Sequence, residues 1–381
     1  VPDLSLLIPT LDEEEAIGEV IRRSISVFRE LHLDYEIIVV DSSRDSTADI
    51  ARSLGANVVN PDRMGYGNAY LAGFAKATGS RLILIDGDMT YDPREIPQFL
   101  QKLDEGYDIV IGSRLHGCIE QGAMPALHRY VGNPALTGIL NLLFSPGISD
   151  AHCGMRAITR DALSRLNLHS GGMEIASEMV IEASRRGLFI AEIPITYYKR
   201  RGRSKLCSIS DGWRHLRFMM MYRPVPFLLL PGAVAFVMGM GLTSLVMVGT
   251  RSSELRMHSL ILGSLILLIG YQTILSGMYF SAFAATFGAG GGPGGTRIAS
   301  WILSYHSLER ALLLGAVLLG VGVLIGLRLL AKWVEVGYGS LSEVQSAMLA
   351  LILCIMGLQT IFSGFSISLL LLQGDAANGG G

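Results

Sequence analysis

Hydrophobic positions follow two regimes along the chain. Up to about residue 224, short apolar runs alternate with amphipathic stretches. The runs at 4–8, 35–40, 56–59, 81–85 and 108–111 are rich in Leu, Ile and Val and have the length of strands. The stretches near 13–29, 45–54, 68–77 and 93–103 repeat apolar residues at helical spacing, and Pro93 suits the first turn of a helix. Strand–helix alternation predicts an α/β parallel sheet, with ligands gathered at the C-terminal ends of its strands.

Beyond residue 224 the pattern changes. Four apolar stretches, 225–249, 259–284, 308–331 and 346–372, are each long enough to cross a bilayer, which takes about 20 residues. An octet repeats within them. Residues 270–277, GYQTILSG, match residues 357–364, GLQTIFSG, at six of eight positions. Both copies would run in the same direction, so two helix pairs form a parallel repeat. Gln272 and Gln359 are costly in lipid and point to helix–helix hydrogen bonds; assistance in lipid reorientation is the alternative role. A Gly-rich linker, 285–307, joins the pairs. Just before the first span, Ile209, Trp213, Leu216 and Met220 recur at helical spacing, predicting an amphipathic helix over 207–224 that lies in the membrane interface.

Charge sharpens this division. Residues 1–224 carry 53 charged side chains, and residues 225–381 carry 11. The chain thus reads as a domain of residues 1–206, the interfacial helix, and helix pairs at 225–284 and 308–373. Lys199, Arg200, Arg201, Arg203, Lys205, Arg214, Arg217 and Arg223 crowd the approach to the first span against the single acid Asp211. By the positive-inside rule that side is cytoplasmic, and an even number of spans puts both termini there. A net charge of −2 gives no field for nucleic acid. The four cysteines show no CxxC spacing, which argues against a zinc site and suits a reducing compartment. The chain opens directly into a strand pattern, so no leader peptide is expected.

Candidate chemistry clusters at three strand ends. The first run ends in Pro9-Thr10-Leu11-Asp12-Glu13, the second in Asp41-Ser42-Ser43-Arg44-Asp45, and the fourth in Asp86-Gly87-Asp88. Two carboxylates flanking a glycine can share a hard divalent cation with a diphosphate; a solvated turn is the plainer reading. Gly65-Tyr66-Gly67 looks like the start of a dinucleotide fingerprint. Tyr70 stands where its third glycine belongs, and the segment follows the third strand, so a nicotinamide site is not expected. A tight turn presenting a helix N-terminus to a donor fits better. Asp150, His152 and Cys153 invite a Cys–His nucleophile, a weak reading. Glu174 and Glu178, at i and i+4, suit a solvated face or a sugar contact equally. Residues 134–144 are nearly all apolar, and a helix at the membrane surface guiding a lipid is expected there, with Leu140, Leu143 and Phe144 as its contacts.

Together these segments resemble the dolichyl- and polyprenyl-phosphate mannose and glucose synthases, family 2 glycosyltransferases of GT-A fold. The resemblance runs from Leu4 to about Tyr222. It rests on residues 7–14 (LIPTLDEE), the turn at 41–47, Gly65-Tyr66-Gly67-Asn68-Ala69, Asp86-Gly87-Asp88, Gly112-Ser113-Arg114, residues 150–156 (DAHCGMR), and Gly202-Arg203-Ser204-Lys205-Leu206. Asp12 replaces a usual Asn, and Ser42 and Ser46 replace usual glycines. The resemblance implies a GT-A domain, Rossmann-like with a mostly parallel sheet, followed by the interfacial helix and four transmembrane helices. It implies that Pro9, Thr10, Glu13, Asp41, Asp86 and Gly87 hold the donor nucleotide, and that Asp86, Asp88 and Thr90 hold Mg2+ or Mn2+. It makes Asp88, Arg114 and Arg129 catalytic, the two arginines through the acceptor phosphate. Arg203 and Lys205 would close over phosphates, and Asp150 and Arg156 would organise a loop beside the acceptor.

The implied reaction is inverting transfer of a hexose from a UDP- or GDP-linked sugar to a polyprenyl or dolichyl monophosphate at the cytoplasmic membrane face. Its partners would be the nucleotide-sugar donor, the lipid acceptor, membrane lipids and, as an option, a second copy of the chain. A processive polysaccharide synthase would carry Gln-x-x-Arg-Trp. Trp213, Trp301 and Trp333 follow Gly212, Ser300 and Lys332, so that motif is absent. A lipid-handling protein with a vestigial transferase domain is the remaining alternative, against which the intact Asp86-Gly87-Asp88 and Arg114 argue.

Overall fold

The computed structural model describes residues 2–202, 208–248, 253–286, 306–339 and 343–378. Arg203, Lys205 and nearly all of the Gly-rich linker lie outside the described residues. The chain divides into two compact units, Val1–Phe218 and Met219–Gly381.

The first unit is built on a seven-stranded sheet. In chain order its elements are β1 (Leu4–Thr10), α1 (Ile17–Glu30), β2 (Tyr35–Asp41), α2 (Thr47–Ser53), β3 (Asn57–Val59), α3 (Tyr66–Lys76), β4 (Arg81–Leu84), α4 (Ile96–Asp104) and β5 (Ile109–Ile119). There follow α5 (Asn133–Phe144), β6 (Arg156–Thr159), α6 (Arg160–Arg165), α7 (Ile175–Arg185), β7 (Ile190–Tyr197) and α8 (Ser208–Tyr222). The strand order is β3-β2-β1-β4-β6-β5-β7. All pairs are parallel except those made by β6, which runs against β4 and β5. Leu6, Leu7 and Ile8 in β1 and Leu82 and Ile83 in β4 are fully buried. Helices on both faces explain why these strands read as continuous apolar runs. In α1, the buried Ile17, Val20, Ile21, Val27 and Phe28 form the helical stripe that the sequence pattern predicts.

Two strands escaped the sequence reading. β6 has four residues and begins with an arginine. β7 carries Pro194 in its middle, which reads against a strand. It lies at the sheet edge, where a missing N–H is tolerated. In α5, Leu140, Leu143 and Phe144 prove buried while Leu142 is 82% exposed. The expected lipid contacts are therefore core positions, and the outward apolar residues are Leu142 together with Leu127, Tyr130 and Val131 before the helix.

The second unit is helical, with α9 (Leu230–Val248), α10 (Ser253–Thr286), α11 (His306–Glu335) and α12 (Val344–Asn378). Four segments are long and apolar enough to cross a membrane: Val225–Met247, Met257–Phe283, Leu308–Glu335 and Val344–Leu370. α9 packs on α10, α11 on α12, and α10 on α12. The repeated octets occupy equivalent places. A Cβ on Gly270 would lie 2.3 Å from the Phe236 amide nitrogen of α9, and one on Gly357 would lie 2.5 Å from the Leu319 amide nitrogen of α11. Each glycine lets its helix touch its partner backbone to backbone, the usual basis of helix association in lipid.

Candidate active site

The C-terminal ends of β1, β2 and β4 meet at a cleft of about 710 Å³ in the first unit. Pro9, Thr10, Glu13, Asp86, Gly87, Asp88, Arg114 and Arg156 line it. Asp41 and Asp150 stand just behind these residues, each fixing one of them. Asp41 is buried and accepts hydrogen bonds from Thr10 Oγ1 (2.7 Å) and Ser43 Oγ (2.5 Å). The two loops after β1 and β2 are laced together: Asp12 N donates to Ser43 Oγ (2.7 Å), Glu13 N to Thr47 Oγ1 (2.9 Å), and Arg44 N to Asp12 Oδ1 (2.8 Å). Asp12 adopts a left-handed φ of 49°, a conformation Asn and Asp tolerate better than most residues.

The acidic pair forms the floor. A Cβ on Gly87 would meet Thr10 Cγ2 at 2.8 Å, so glycine is what lets the β4 turn come up against the end of β1. Asp86 Oδ1 accepts a hydrogen bond from Tyr66 OH (2.8 Å). Burial, with the Asp88 charge beside it, pushes the Asp86 carboxyl up to about 7. Asp88 Oδ1 accepts from Thr90 N (3.0 Å) and Thr90 Oγ1 (2.5 Å), so the threonine hydroxyl orients the carboxylate. A pair in which burial and the neighbouring Asp88 charge oppose ionisation of Asp86 is a fitting donor set for a hard divalent cation. No group of three or more His, Cys, Asp or Glu is placed to hold a metal among the described residues. Mg2+ and similar ions commonly complete such two-carboxylate sites with phosphate oxygens and water.

Basic groups face this floor. Arg200 donates to Glu13 Oε1 (2.5 Å) and lies 3.3 Å from Asp88 Oδ2. The sequence singles out Arg203 and Lys205 and leaves Arg200 as one cation of the 199–205 basic run. Arg114 is gripped by Asp150, with Nε donating to Oδ2 (2.7 Å), Nη2 to Oδ1 (2.8 Å) and the backbone N to Oδ2 (3.1 Å). Its guanidinium also lies over the Tyr197 ring at 5.3 Å. Burial pushes Asp150 up, but the Arg114 charge and hydrogen bonds, together with His152, outweigh it and hold the carboxyl below its usual value. Arg156 makes no ion pair with Asp150. Its three nitrogens donate to the carbonyls of Cys153 (2.8 Å), Ala176 (2.8 Å) and Ala151 (2.7 Å), which fixes the shape of the 150–156 loop. Arg129 sits apart on the π-helical turn His128–Gly132, with its guanidinium over Tyr130, and is not among the cleft-lining residues.

Several other residues have structural explanations. Glu178 is buried and accepts from the His169 and Ser170 amides at 2.9–3.2 Å, so it is neither a solvated face nor a free sugar contact. The Gly65 and Gly67 positions serve a close approach to another loop. A Cβ on Gly67 would lie 2.0 Å from the Ser170 carbonyl oxygen, and Asn68 N donates to the Gly171 carbonyl. Cys153 is buried, which pushes its thiol up to about 12. His152 and His215 share Ser177 Oγ at 3.2 and 2.8 Å, and burial lowers both, His215 to about 4. Neutral imidazoles beside an un-ionised thiol do not make a Cys–His nucleophile.

Comparisons with known proteins place the chain among glycosyltransferases. The description "Glycosyl transferase family 2" matches residues 5–166, and "Glycosyltransferase family 2 C-terminal transmembrane region" matches residues 282–371. The low-salt glycan biosynthesis hexosyltransferase Agl6 of Haloferax volcanii is 38% identical over 367 residues, covering 96% of this chain and 88% of its own. A dolichyl-phosphate hexose transferase of the same organism is 34% identical over 212 residues, covering 55% of this chain and 89% of its own. A solved glucosyl-3-phosphoglycerate synthase of Mycobacterium tuberculosis, in complex with Mn2+, UDP and glucosyl-3-phosphoglycerate, shares 25% identity over 58% of this chain and 78% of its own, at a TM-score of 0.46. Likeness to Agl6 along nearly the whole length, together with matches in both units, makes this chain an integral membrane enzyme of GT-A fold that belongs to the family 2 glycosyltransferases.

Proposed function

We propose that the enzyme transfers a hexose from a nucleoside-diphosphate sugar to a polyprenyl monophosphate at the cytoplasmic face of the membrane. The observation that carries this reading is the Asp86–Asp88 pair at the cleft floor, faced by Arg200 and Arg114. Asp86 and Asp88 would hold Mg2+ or Mn2+, with Thr90 orienting the second carboxylate. The ion's contribution is to offset charge on the departing nucleoside diphosphate.

The chain's own groups suit the remaining steps. Thr10, held by Asp41, and Pro9 and Glu13 border the end of the cleft where the nucleoside would sit. Arg200, paired with Glu13 and Asp88, can turn to a diphosphate that offers a stronger partner than a carboxylate shared with Glu13. The acceptor phosphate has a second pKa near ~6 and is nucleophilic at neutral pH without a general base. That requirement agrees with a cleft in which burial keeps His152 and His215 neutral and the Cys153 thiol protonated. Arg114, kept rigid by Asp150, would align the phosphate for in-line attack, and Arg129 would receive it from outside the cleft. A single displacement inverts the anomeric centre, so an α-linked donor gives a β-linked lipid sugar. The basic run before the first span favours a cytoplasmic catalytic unit, where nucleotide sugars are made.

The test is a transfer assay with the full chain in nanodiscs, using labelled UDP- and GDP-sugars, a polyprenyl phosphate and Mg2+ or Mn2+. Organic-phase product from one donor, abolished by EDTA and by Asp88→Ala, is expected. Nucleotide-sugar binding with no lipid product would reject the acceptor class. No binding at all would reject the reading altogether.

A further inference from the structure

The Gly65-Tyr66-Gly67 turn opens α3 and is pressed against the loop at 170–172. A Cβ on Gly65 would lie 2.3 Å from the Gly171 carbonyl oxygen, as close as the Gly67 contact with Ser170 is tight, and Gly65 has a φ of 144°. Glycine is what both places accept. The residue between them is a tyrosine that lines the cleft. The sequence pattern suggests that this turn offers a helix N-terminus to a donor. What it brings into the cleft is a phenol.

That phenol touches the acidic floor. Tyr66 OH donates to Asp86 Oδ1 (2.8 Å), and no other hydrogen bond to Asp86 is made among the described residues. With its single proton committed there, Tyr66 accepts from Tyr70 OH at 3.3 Å. Tyr70 is buried, and its ring meets that of Tyr66 edge to face at 4.9 Å. Ring and hydroxyl together hold the phenol from behind. The other carboxylate oxygen has a different neighbour. A Cβ on Gly154 would stand 2.5 Å from Asp86 Oδ2 and 3.2 Å from Tyr66 OH. Gly154 N donates to Tyr91 OH (2.9 Å), and Gly154 lines the cleft together with Asp86. The glycine leaves room beside Oδ2 that any side chain would fill.

We propose that Tyr66 is a positioning residue for Asp86: it engages Oδ1 and presents Oδ2, beside the gap at Gly154, as the oxygen that meets the cation and diphosphate. The inference rests on the metal role proposed above for Asp86. A carboxylate free to rotate must be ordered when its ligand arrives, whereas one tied at Oδ1 already points in one direction. Tyr66 acts through Asp86 and has no contact of its own to make with the sugar.

The test reads Mn2+ binding by electron paramagnetic resonance, with the full chain in phosphatidylcholine nanodiscs and UDP or GDP present. The melting temperature of each ligand-free variant is measured alongside. Wild type is expected to bind Mn2+ with one of the two nucleotides, and Asp88→Ala to lose that binding. Tyr66→Phe, which keeps the ring and removes the hydroxyl, is expected to raise the Mn2+ dissociation constant about tenfold to a hundredfold. Tyr70→Phe leaves the bond to Asp86 in place and is expected to cost far less. Gly154→Ala, which sets a methyl group against Oδ2, is expected to weaken binding at least as much as Tyr66→Phe. A tyrosine with only a structural task would lower the melting temperature in Tyr66→Phe and leave Mn2+ affinity unchanged, which overturns the proposal. Undiminished binding by Gly154→Ala overturns it as well. If Asp88→Ala is defective in either case, the metal role of the acidic pair stands. Wild type that binds no Mn2+ with either nucleotide would overturn both.

Discussion

Arg200 is the residue whose role changes most between sequence and structure. In the sequence it is one cation among several in a basic run. In the fold it lies between two acids from distant strand ends, Glu13 after β1 and Asp88 after β4. Removing it deprives a buried carboxylate of its partner and the diphosphate of a donor in a site shielded from water. Losing one such donor typically lowers turnover by about 10²–10³. Arg200→Ala is therefore expected to reduce kcat by roughly that factor. Steady-state kinetics would check it, and Arg200→Lys should recover only part of the loss because a lysine cannot fork between two acids. Unchanged kinetics would make the contact with Glu13 and Asp88 a resting ion pair. By contrast, the acidic pair was legible from the start. Asp-Gly-Asp ends an apolar strand and is singled out by the sequence, whereas the arginine that faces it is fixed only by tertiary folding.

At the level of elements, the strands read correctly were β1, β2, β4 and β5, where burial leaves an unbroken apolar run, and the short edge strand β3. β6 and β7 were missed because their sequences serve other demands: an arginine that holds a loop by three carbonyls, and a proline at a sheet edge. The same limit applies to α5. Eleven nearly uninterrupted apolar and small residues give no amphipathic contrast, so the sequence could not say which side faces the core. The structure divides them, with Leu140 fully buried and Leu142 82% exposed. Two substitutions should therefore separate packing from lipid contact. Leu140→Ser is expected to destabilise the protein by about 2–5 kcal/mol through a cavity and a buried hydroxyl. Leu142→Asp should leave the melting temperature within a degree or two and weaken use of the polyprenyl acceptor while sparing nucleotide binding. Thermal unfolding alongside acceptor titration distinguishes them. If Leu142→Asp leaves acceptor use intact, the outward face of α5 has no part in meeting the lipid.

Across the whole molecule, the division into two units was visible in charge density alone, yet density says nothing of which side each unit faces. That inference rests on the eight cations preceding the first span. Cysteine chemistry offers an independent check, because two of the catalytic unit's thiols lie in opposite environments. Cys118 is exposed near the end of β5, while Cys153 is buried and its thiol is pushed up to about 12. Alkylation proceeds through the thiolate, so Cys153 should resist a maleimide from either side as long as the unit is folded. Cys118 should react wherever the reagent can reach it. With a membrane-impermeant maleimide and sealed vesicles of known orientation, peptide mapping is expected to find Cys118 modified only when the cytoplasmic face is outermost. Cys153 serves as the internal record of folding: its modification would mark an opened unit and disqualify that sample. Modification of Cys118 only in vesicles of the opposite orientation would place the catalytic unit outside. It would then separate the cleft from cytoplasmic nucleotide sugars, so the proposed donor would fall with the topology.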